Sequence, residues 1–212
     1  DEPAALRRAL STWTELARRD SMDPAVQEGL LPIPWALDRL QSYDESLARY
    51  LEAINALEAA RGRMNVAMQS IQRGRMVKTI VGHDAGPERG WTWRLGTLPD
   101  LPETFFLQSV LAEHRFQEAL KRYRDARLLA RHVEASGKQA ATLAGDPPSA
   151  LRRRLEALRP RADAIAAGQD ALLEAISTRE LQGQRSTIEK YLTEARFAVA
   201  RIYDRQAQQA AP

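Results

Sequence analysis

Residues 107–130 read LQSVLAEHRFQEALKRYRDARLLA, and this stretch decides the fold that we expect. Small, aromatic and long apolar residues recur in it every three or four positions, which is the spacing of one face of an α-helix. Asp100 and Glu103 resemble a capping box, which places a helix start near residue 102. The sequence therefore predicts two closely packed antiparallel helices here, at 102–113 and 116–142.

The composition of the whole chain favours the same class of structure. Its 212 residues are 44% hydrophobic, 28% charged and only 6% aromatic, a balance typical of globular and coiled-coil proteins rather than disordered ones. Alanine, leucine, glutamate, glutamine and arginine dominate, and these residues lose little conformational freedom in a helix. We therefore predict an all-α fold. Because no apolar run reaches about 18 residues, the sequence predicts no membrane span.

Helical spacing continues over most of the chain and predicts further helices at about 3–19, 24–29, 35–80 and 147–205. The helix at 35–80 would be about 70 Å long. Since such a helix does not fit inside a compact domain of this size, we predict a single elongated domain, 1–212, built as an antiparallel bundle of long coiled-coil-like helices. Gly62 and Gly74 are the positions where the long helix is expected to bend or end.

The last helix carries the heptad spacing of a coiled coil. Its apolar residues change phase near Gly183, where we expect a kink or a change of packing partner. Pro160 is a second expected bend. The predicted core positions before and after Gly183 are Leu151, Leu155, Leu158, Ala162, Ile165, Leu172 and Ile176, and then Ile188, Leu192, Ala195, Val199 and Ile202.

A long irregular connection at 82–101 is the sharpest candidate for a binding site. Tryptophan and arginine are over-represented at interface hot spots, and this loop carries Arg89, Trp91, Trp93 and Arg94. We take these four residues as candidate partner-binding residues. The alternative is that the tryptophans pin the loop across the neighbouring hairpin. The aromatic residues earlier in the chain, Trp35, Tyr43 and Tyr50, are assigned to helix packing.

The central stretch also resembles the tetratricopeptide repeat, in which one helix turns into the next through a run of the form LA-x-G-R-[FY]-x-E-A-L-x-x-[YF]-x-x-A. The matching residues are Leu111, Ala112, Phe116, Ala119, Leu120, Tyr123 and Ala126. His114 stands where the turn of that family carries glycine. The resemblance implies that Ala119 lies where the two helices approach most closely. The alternative is an ordinary α-hairpin with an alanine at its contact point.

The resemblance covers about 25 residues, within a tetratricopeptide-like module at 103–135. It implies that the chain is a fragment of a longer repeat protein whose atypical last repeat caps the stack. The start at Asp1 without methionine agrees with a fragment or a trimmed precursor. More loosely, WTWRL and LPDLPE at 91–103 and YLTEARFAVARIYD at 191–204 resemble the C-terminal parts of large tetratricopeptide-repeat proteins of the bacterial cell envelope. This resemblance implies the periplasm or cell envelope of a bacterium as compartment, with the cytoplasm as the alternative.

The sequence offers no constellation of residues that points to catalysis or metal binding. Cysteine is absent, and His83, His114 and His132 do not stand at metal-ligand spacing. No nucleophile motif, phosphate-binding loop or dinucleotide fingerprint is present. We therefore expect no catalytic residue, no metal site, no cofactor and no enzymatic activity.

The charge pattern separates the two remaining classes of function. The chain has 31 basic and 28 acidic residues, a net charge of +3, and a pI near 9.4, but acids interrupt its arginine runs. We therefore expect a non-enzymatic scaffold or adaptor that binds another protein, with homodimerisation through the long helices as a further option. The alternative function is a basic protein that binds nucleic acid or another polyanion, whose affinity would fall steeply with added salt.

Overall fold

The computed structural model of the chain describes residues 2–83, 108–142 and 149–210. Over these ranges the chain forms helices and no strand, so the predicted all-α class is confirmed there. The helices are α1 (Glu2–Ala17), α2 (Pro24–Gly29), α3 (Pro32–Arg39), α4 (Tyr43–Gln72), α5 (Arg75–His83), α6 (Gln108–Ala112), α7 (His114–Thr142) and α8 (Ser149–Ala210).

The chain divides into two compact units. Unit 1 comprises residues 1–67 and 181–212, and unit 2 comprises residues 68–180. Helices α1, α2 and α3 therefore belong to unit 1, and α5, α6 and α7 belong to unit 2. The two longest helices, α4 and α8, contribute one segment to each unit. The expectation of one elongated domain stays a prediction.

The core of unit 1 follows a strict heptad spacing along α4. Buried residues recur at alternating steps of three and four, which keeps them on one stripe of the helix. Every second member of the stripe is alanine, and small residues let a neighbouring helix approach closely. The buried apolar residues of this segment are Tyr50, Ala53, Leu57, Ala60, Met64 and Ala67.

The α8 segment of unit 1 runs antiparallel to α4. Tyr50 packs against Ala198 and Ile202 of α8, whereas Arg61, further along α4, bonds Glu189, which precedes them in α8, at 3.3 Å. A second ion pair flanks the same interface, between Glu58 and Arg196 at 2.6 Å, and a third joins Asp38 of α3 to Arg205 at 2.9 Å. The antiparallel arrangement predicted for the long helices is therefore present in unit 1.

The short helices of unit 1 are fixed by caps and by one buried hydrogen bond. Asp23 accepts a hydrogen bond from the backbone N–H of Ala25 at 2.8 Å, with Pro24 in the first turn of α2, as the sequence predicts. The hydroxyl of Ser46 in α4 is fully buried and donates to the carbonyl oxygen of Pro34 in α3 at 2.7 Å. This bond ties the start of α4 to α3.

The prediction of one continuous helix at 35–80 is wrong, because the chain forms α3, α4 and α5 over this range. The first break lies at Gln41, whose φ of 63° is left-handed. The N–H of Gln41 bonds the carbonyl of Asp38 at 3.1 Å, and the N–H of Ser42 bonds that of Leu37 at 2.9 Å. This pair of bonds is a Schellman motif, which usually carries glycine at the left-handed position. Because glutamine and not glycine stands at this position, the break was not predicted.

The second break of the 35–80 range lies at Gly74, one of the two glycines where an interruption was expected. Gly74 has a φ of 65°, and its N–H bonds the carbonyl of Ile71 at 2.8 Å. The helix continues through Gly62, so that expected weak point does not end it. At the N-terminal end of the range, α3 begins at Pro32 rather than near residue 35, because proline is well tolerated in the first turn of a helix.

Unit 2 contains a second antiparallel pair, formed by α7 and the α8 segment of this unit. Arg127 of α7 faces Asp163 at 3.8 Å, and Glu134, one heptad later, faces Arg159 at 3.6 Å. The buried apolar residues of α7 share one face, at steps of three and four apart from the adjacent pair Ala119 and Leu120. They are Phe116, Ala119, Leu120, Tyr123, Ala126, Ala130 and Val133.

The core positions predicted for the first half of α8 are wrong for Leu158 and Ile165, which are exposed. The predicted position Ala162 is buried, and Leu155, Leu172 and Ile176 are half-buried. The other buried residues of this segment, Ala166, Leu173 and Ser177, were not predicted. In the second half of α8 the predicted positions Ile188, Leu192, Ala195 and Ile202 are buried, and Val199 is half-buried.

Helix α8 continues through both positions where a bend was expected, Pro160 and Gly183. The expected change of packing partner near Gly183 is confirmed, since residues from 181 onward belong to unit 1. The phase change in the apolar pattern therefore marks the transition between units without a break in the helix.

Candidate functional site

The binding site predicted in the connection at 82–101 lies outside the described residues. This applies to Arg89, Trp91, Trp93 and Arg94, and also to the start of the helix expected at 102. Of the three histidines, His114 and His132 are exposed, and the side chain of His83 is outside the described part.

The residues that resemble a tetratricopeptide repeat are buried, with one exception. Leu111, Phe116, Ala119, Leu120, Tyr123 and Ala126 are buried, whereas Ala112 is exposed. The turn is tighter than predicted, because α6 ends at Ala112 and α7 begins at His114. Two bonds close it without a glycine: the N–H of Glu113 donates to the carbonyl of Val110 at 3.0 Å, and the side-chain amide of Gln117 donates to the carbonyl of Leu111.

The best candidate site among the described residues is a groove in unit 1 with a volume of about 870 Å³, which we call the aromatic groove. This volume falls in the range of about 300–1,000 Å³ that is usual for ligand sites. Most of its wall is apolar, with two carboxylates and one guanidinium. The lining residues are Trp13, Glu28, Leu31, Pro32, Trp35, Tyr50, Tyr191, Glu194, Phe197, Ala198 and Arg201.

Helix α8 supplies one wall of the aromatic groove. Tyr191, Glu194, Ala198 and Arg201 follow one another at steps of three and four, so they lie on one stripe of the helix, with Phe197 beside it. The rest of the wall comes from α1, α2, α3, α4 and the link between α2 and α3. Gly29 permits the close contact of α1 with α2, since a Cβ at this position would lie 2.8 Å from Leu16 Cδ2.

Two large aromatic side chains of the groove are exposed to solvent. Phe197 has 67% of its surface exposed and Trp35 has 44%. The guanidinium of Arg39, one turn after Trp35, lies 5.5 Å from the centre of the indole ring. Exposed clusters of large apolar residues mark interaction sites more often than single ones do. The assignment of Trp35 to helix packing is therefore wrong, whereas Tyr50, at 6% exposed, does belong to the core.

Burial and two carboxylates, those of Glu28 and Glu194, determine the electrostatics at Tyr191. Burial raises the pKa of the Tyr191 hydroxyl, and the negative charges of Glu28 and then Glu194 raise it further. Burial is also the main reason that the pKa of Tyr50 is raised. Asp38 and Glu194 raise the pKa of Tyr50 as well, but Arg201 lowers it. The groove is therefore acidic near Tyr191, while Arg201 acts near Tyr50.

The polar side chains of the groove wall are two carboxylates, two phenols and one guanidinium. None of the lining residues is Ser, Thr, Cys, His or Lys, so the wall carries no Ser–His or Cys–His pair and no lysine nucleophile. In the described ranges, no group of three or more His, Asp or Glu side chains is arranged to hold a metal ion. A search of the same ranges finds no helix with the length and apolarity needed to cross a membrane.

Comparison with known proteins identifies no relative of this chain. No protein-family model, no curated protein and no solved structure matches the chain.

Sequence reasoning missed the aromatic groove because its residues come from five helices and the α2–α3 link. Trp13, Trp35 and Phe197 are separated by many positions, and each also fits the apolar stripe of an amphipathic helix. One signal was available on α8. The heptad stripe of this segment passes through Ala198, which is buried, and Val199, which is half-buried. Phe197 precedes both and lies outside the stripe, so it is a large aromatic residue on an outer face of the helix.

Proposed function

We propose that this chain is a non-enzymatic scaffold or adaptor that binds a partner protein through the aromatic groove of unit 1. The observation that carries the proposal is the exposure of Phe197 and Trp35 on one concave, mostly apolar surface. Aromatic residues are enriched at the centres of protein interfaces. A partner that covered the Phe197 side chain would gain about 1.5–3 kcal/mol from its burial alone.

A protein partner is favoured over nucleic acid or another polyanion because many of the described arginines are already paired with carboxylates. Binding to phosphates needs basic side chains on a common face with few acids. In the described ranges many arginines already form ion pairs with carboxylates, and the groove itself carries Glu28 and Glu194. The paired arginines include Arg18, Arg49, Arg61, Arg122, Arg127, Arg159, Arg196 and Arg205.

The tetratricopeptide-like hairpin and the bacterial cell envelope remain part of the proposal. The burial of Phe116, Ala119 and Leu120 supports a closely packed turn at this position, and an ordinary α-hairpin would bury the same residues. If the chain belongs to a longer repeat array, the groove would add a binding surface to it. Fractionation of bacteria that produce the native protein would place it in the periplasm, whereas recovery in the cytoplasm would contradict the compartment.

The test of the proposed function places a photo-crosslinking amino acid in the full chain. With p-benzoylphenylalanine at position 197, irradiation of cells that produce the native protein should yield a covalent adduct with a second protein. The adduct should be lost when Trp35→Ala is added, since this change removes another part of the groove wall. Tyr203 provides the matched control position, because it is an exposed aromatic residue of α8 that does not line the groove.

Two results would contradict the proposal. Equal crosslinking from positions 197 and 203 would mean that the contact does not depend on the groove. Retention of the adduct in the Trp35→Ala variant would mean the same. The polyanion alternative is tested by titration with duplex and single-stranded DNA, where binding at low salt that disappears at moderate salt would support the alternative.

A further inference from the structure

The acidic side chains of the aromatic groove form no ion pair with a described residue. Glu28 and Glu194 both line the groove, and neither takes part in an ion pair in that part of the chain. Two nearby carboxylates of unit 1 behave differently, since Glu58 bonds Arg196 and Glu189 bonds Arg61. The groove thus carries negative charge that no ion pair neutralises, whereas the carboxylates at the α4–α8 contacts of this unit are paired with arginines.

Both carboxylates of the groove act on Tyr191. Burial raises the pKa of its hydroxyl most, and the negative charges of Glu28 and Glu194 raise it further. At Tyr50, burial and Asp38 raise the pKa, Arg201 lowers it and Glu194 raises it. A cationic group entering the groove is therefore attracted to the two carboxylates beside Tyr191.

A second, independent feature of the groove points to an occupant. Tyr50 lines the groove, and its hydroxyl forms no hydrogen bond with any described residue. The residue as a whole is only 6% exposed, but its hydroxyl oxygen is not among the described atoms that are closed off from solvent. The hydroxyl is therefore open to an occupant of the groove. Because burial keeps this hydroxyl protonated, it can donate a hydrogen bond to an acceptor on a bound molecule, such as a backbone carbonyl.

The aromatic walls add a preference for positive charge. Aromatic faces attract ammonium and guanidinium groups. Unit 1 already uses this interaction within the chain, at Arg39 on Trp35 and at Arg205 on Tyr43, where the guanidinium carbon lies 4.7 Å from the ring centre. Carboxylates beside aromatic rings therefore favour a positively charged side chain that has apolar side chains next to it.

We propose that the groove binds a segment of a partner protein in which a lysine or arginine lies next to large apolar side chains. The basic side chain reaches Glu28 and Glu194 beside the Tyr191 ring. The apolar side chains cover Phe197 and Trp35. This assignment rests on the proposed function and specifies the chemistry of the partner.

The experiment is a selection from a random peptide library displayed on phage, carried out on the full chain and, in parallel, on the Phe197→Ala variant. Phe197 is largely exposed, so this variant should fold, and its circular dichroism spectrum checks that it does. Peptides that bind the wild type but not the variant should share a lysine or arginine adjacent to apolar residues. Synthetic copies should lose about tenfold in affinity on Glu28→Gln combined with Glu194→Gln, and binding should weaken with added salt.

The matched control for the two glutamates is Glu52→Gln, which changes a glutamate of the same unit that does not line the groove and should leave affinity unchanged. Charge reversal by Glu28→Lys with Glu194→Lys should replace the basic residue of the selected peptides by an acidic one.

Each remaining result overturns a defined part of the inference. Peptides that depend on Phe197 but carry no basic residue, or an unchanged affinity in the double glutamine variant, would overturn the assignment and leave the proposed function standing. A selection in which no peptide depends on Phe197 would overturn both. A wild-type dimer that dissociates on Phe197→Ala would show that a second copy of the chain occupies the groove, and this would also overturn the assignment.

Discussion

The two segments of α8 belong to one uninterrupted helix, but they build different cores. In unit 1 the buried residues of the helix are all apolar, and most are large. In unit 2 they are mainly small, and one is polar. The buried residues are Leu181, Ile188, Leu192, Ala195, Ala198 and Ile202 in the first case, and Ala162, Ala166, Leu173 and Ser177 in the second.

The difference extends to the buried polar atoms. In unit 1 the hydroxyl of Ser46 is buried and bonds the carbonyl of Pro34. In unit 2 the Oγ atom of Ser177 and the Oε1 atom of Gln169 are buried without a hydrogen-bond partner among the described residues. An unsatisfied buried polar group costs about 1–3 kcal/mol. The comparison indicates that stability is distributed unevenly, with the better satisfied core in unit 1.

The largest expected effect tests where the core of α8 lies in each unit. Leu173 in unit 2 and Leu192 in unit 1 are both fully buried, so Leu173→Ala and Leu192→Ala should each lower the free energy of unfolding by about 2–5 kcal/mol. Leu172→Ala is the matched control, since this neighbour is only half-buried and should cost about 1 kcal/mol. Urea denaturation measures all three. An equal loss of stability for Leu172→Ala and Leu173→Ala would contradict the structure, and it would support the sequence-based assignment of Leu172 to the core.

The two buried serines should respond to alanine with opposite signs. Ser46→Ala leaves the carbonyl of Pro34 without its partner and should destabilise the protein by about 1–2 kcal/mol. Ser177→Ala removes a buried hydroxyl that has no described partner and should be neutral or stabilise the protein by up to about 1 kcal/mol. Denaturant midpoints measure both changes. A loss above 1 kcal/mol for Ser177→Ala would contradict the contrast between the units.

The two left-handed residues provide a smaller test. Unit 1 has Gln41 at the end of α3, and unit 2 has Gly74 at the end of α4. Gln41→Gly should raise stability by about 0.5 kcal/mol, whereas Gly74→Ala should lower it by about 1 kcal/mol, because a side chain is strained at positive φ. Gly62→Ala is the control: it lies within α4 with open space around its Cβ and should stabilise the protein by about 0.5–1 kcal/mol. A higher melting temperature for Gly74→Ala would contradict the expectation that a side chain at the positive φ of this position is strained.

The smallest expected effect concerns alkaline pH. Burial raises the pKa of Tyr50 in unit 1 and of Tyr123 in unit 2 above the ordinary value of 10.0. A raised folded-state pKa stabilises the folded protein fully below pH 10.0, and this contribution is lost as the pH rises through the folded pKa. Each tyrosine should therefore reduce stability by at most about 1.4 kcal/mol per pH unit in that range. Tyr50→Phe and Tyr123→Phe should each make the fall in melting temperature between pH 9 and pH 11 less steep, and an unchanged slope in both would contradict the effect.

Much of the fold was predictable because large apolar residues at helical spacing identify helices and, in unit 1, their buried faces. Ile188 and Leu192 are examples, as is the cap formed by Asp23 and Pro24. The prediction failed at Ile165, which is exposed, while its neighbour Ala166 is buried. Alanine carries little signal in a hydrophobic pattern, so the more hydrophobic isoleucine was assigned to the core. Ala162 was predicted as a core position and is buried.

The candidate site was the least predictable feature. The predicted Trp91 and Trp93 lie in a part of the chain that the structure does not describe. The aromatic groove depends on tertiary arrangement, because Trp13, Trp35 and Phe197 come together from different helices. Such a surface has no local sequence motif. The break at Gln41 was missed for a related reason, as the left-handed conformation is set by backbone hydrogen bonds and not by a glycine.

The ion pairs beside the heptad stripe of unit 1 have a consequence for the alignment of its two long helices. A seven-residue repeat with alternating alanine would allow α8 to slip along α4 by one heptad and bury an equivalent stripe. A slip in one direction would bring Glu189 opposite Glu58, and a slip in the other would bring Arg196 opposite Arg61. Because each shifted alignment sets two like charges against each other, the sequence penalises both alternatives and leaves one favoured alignment.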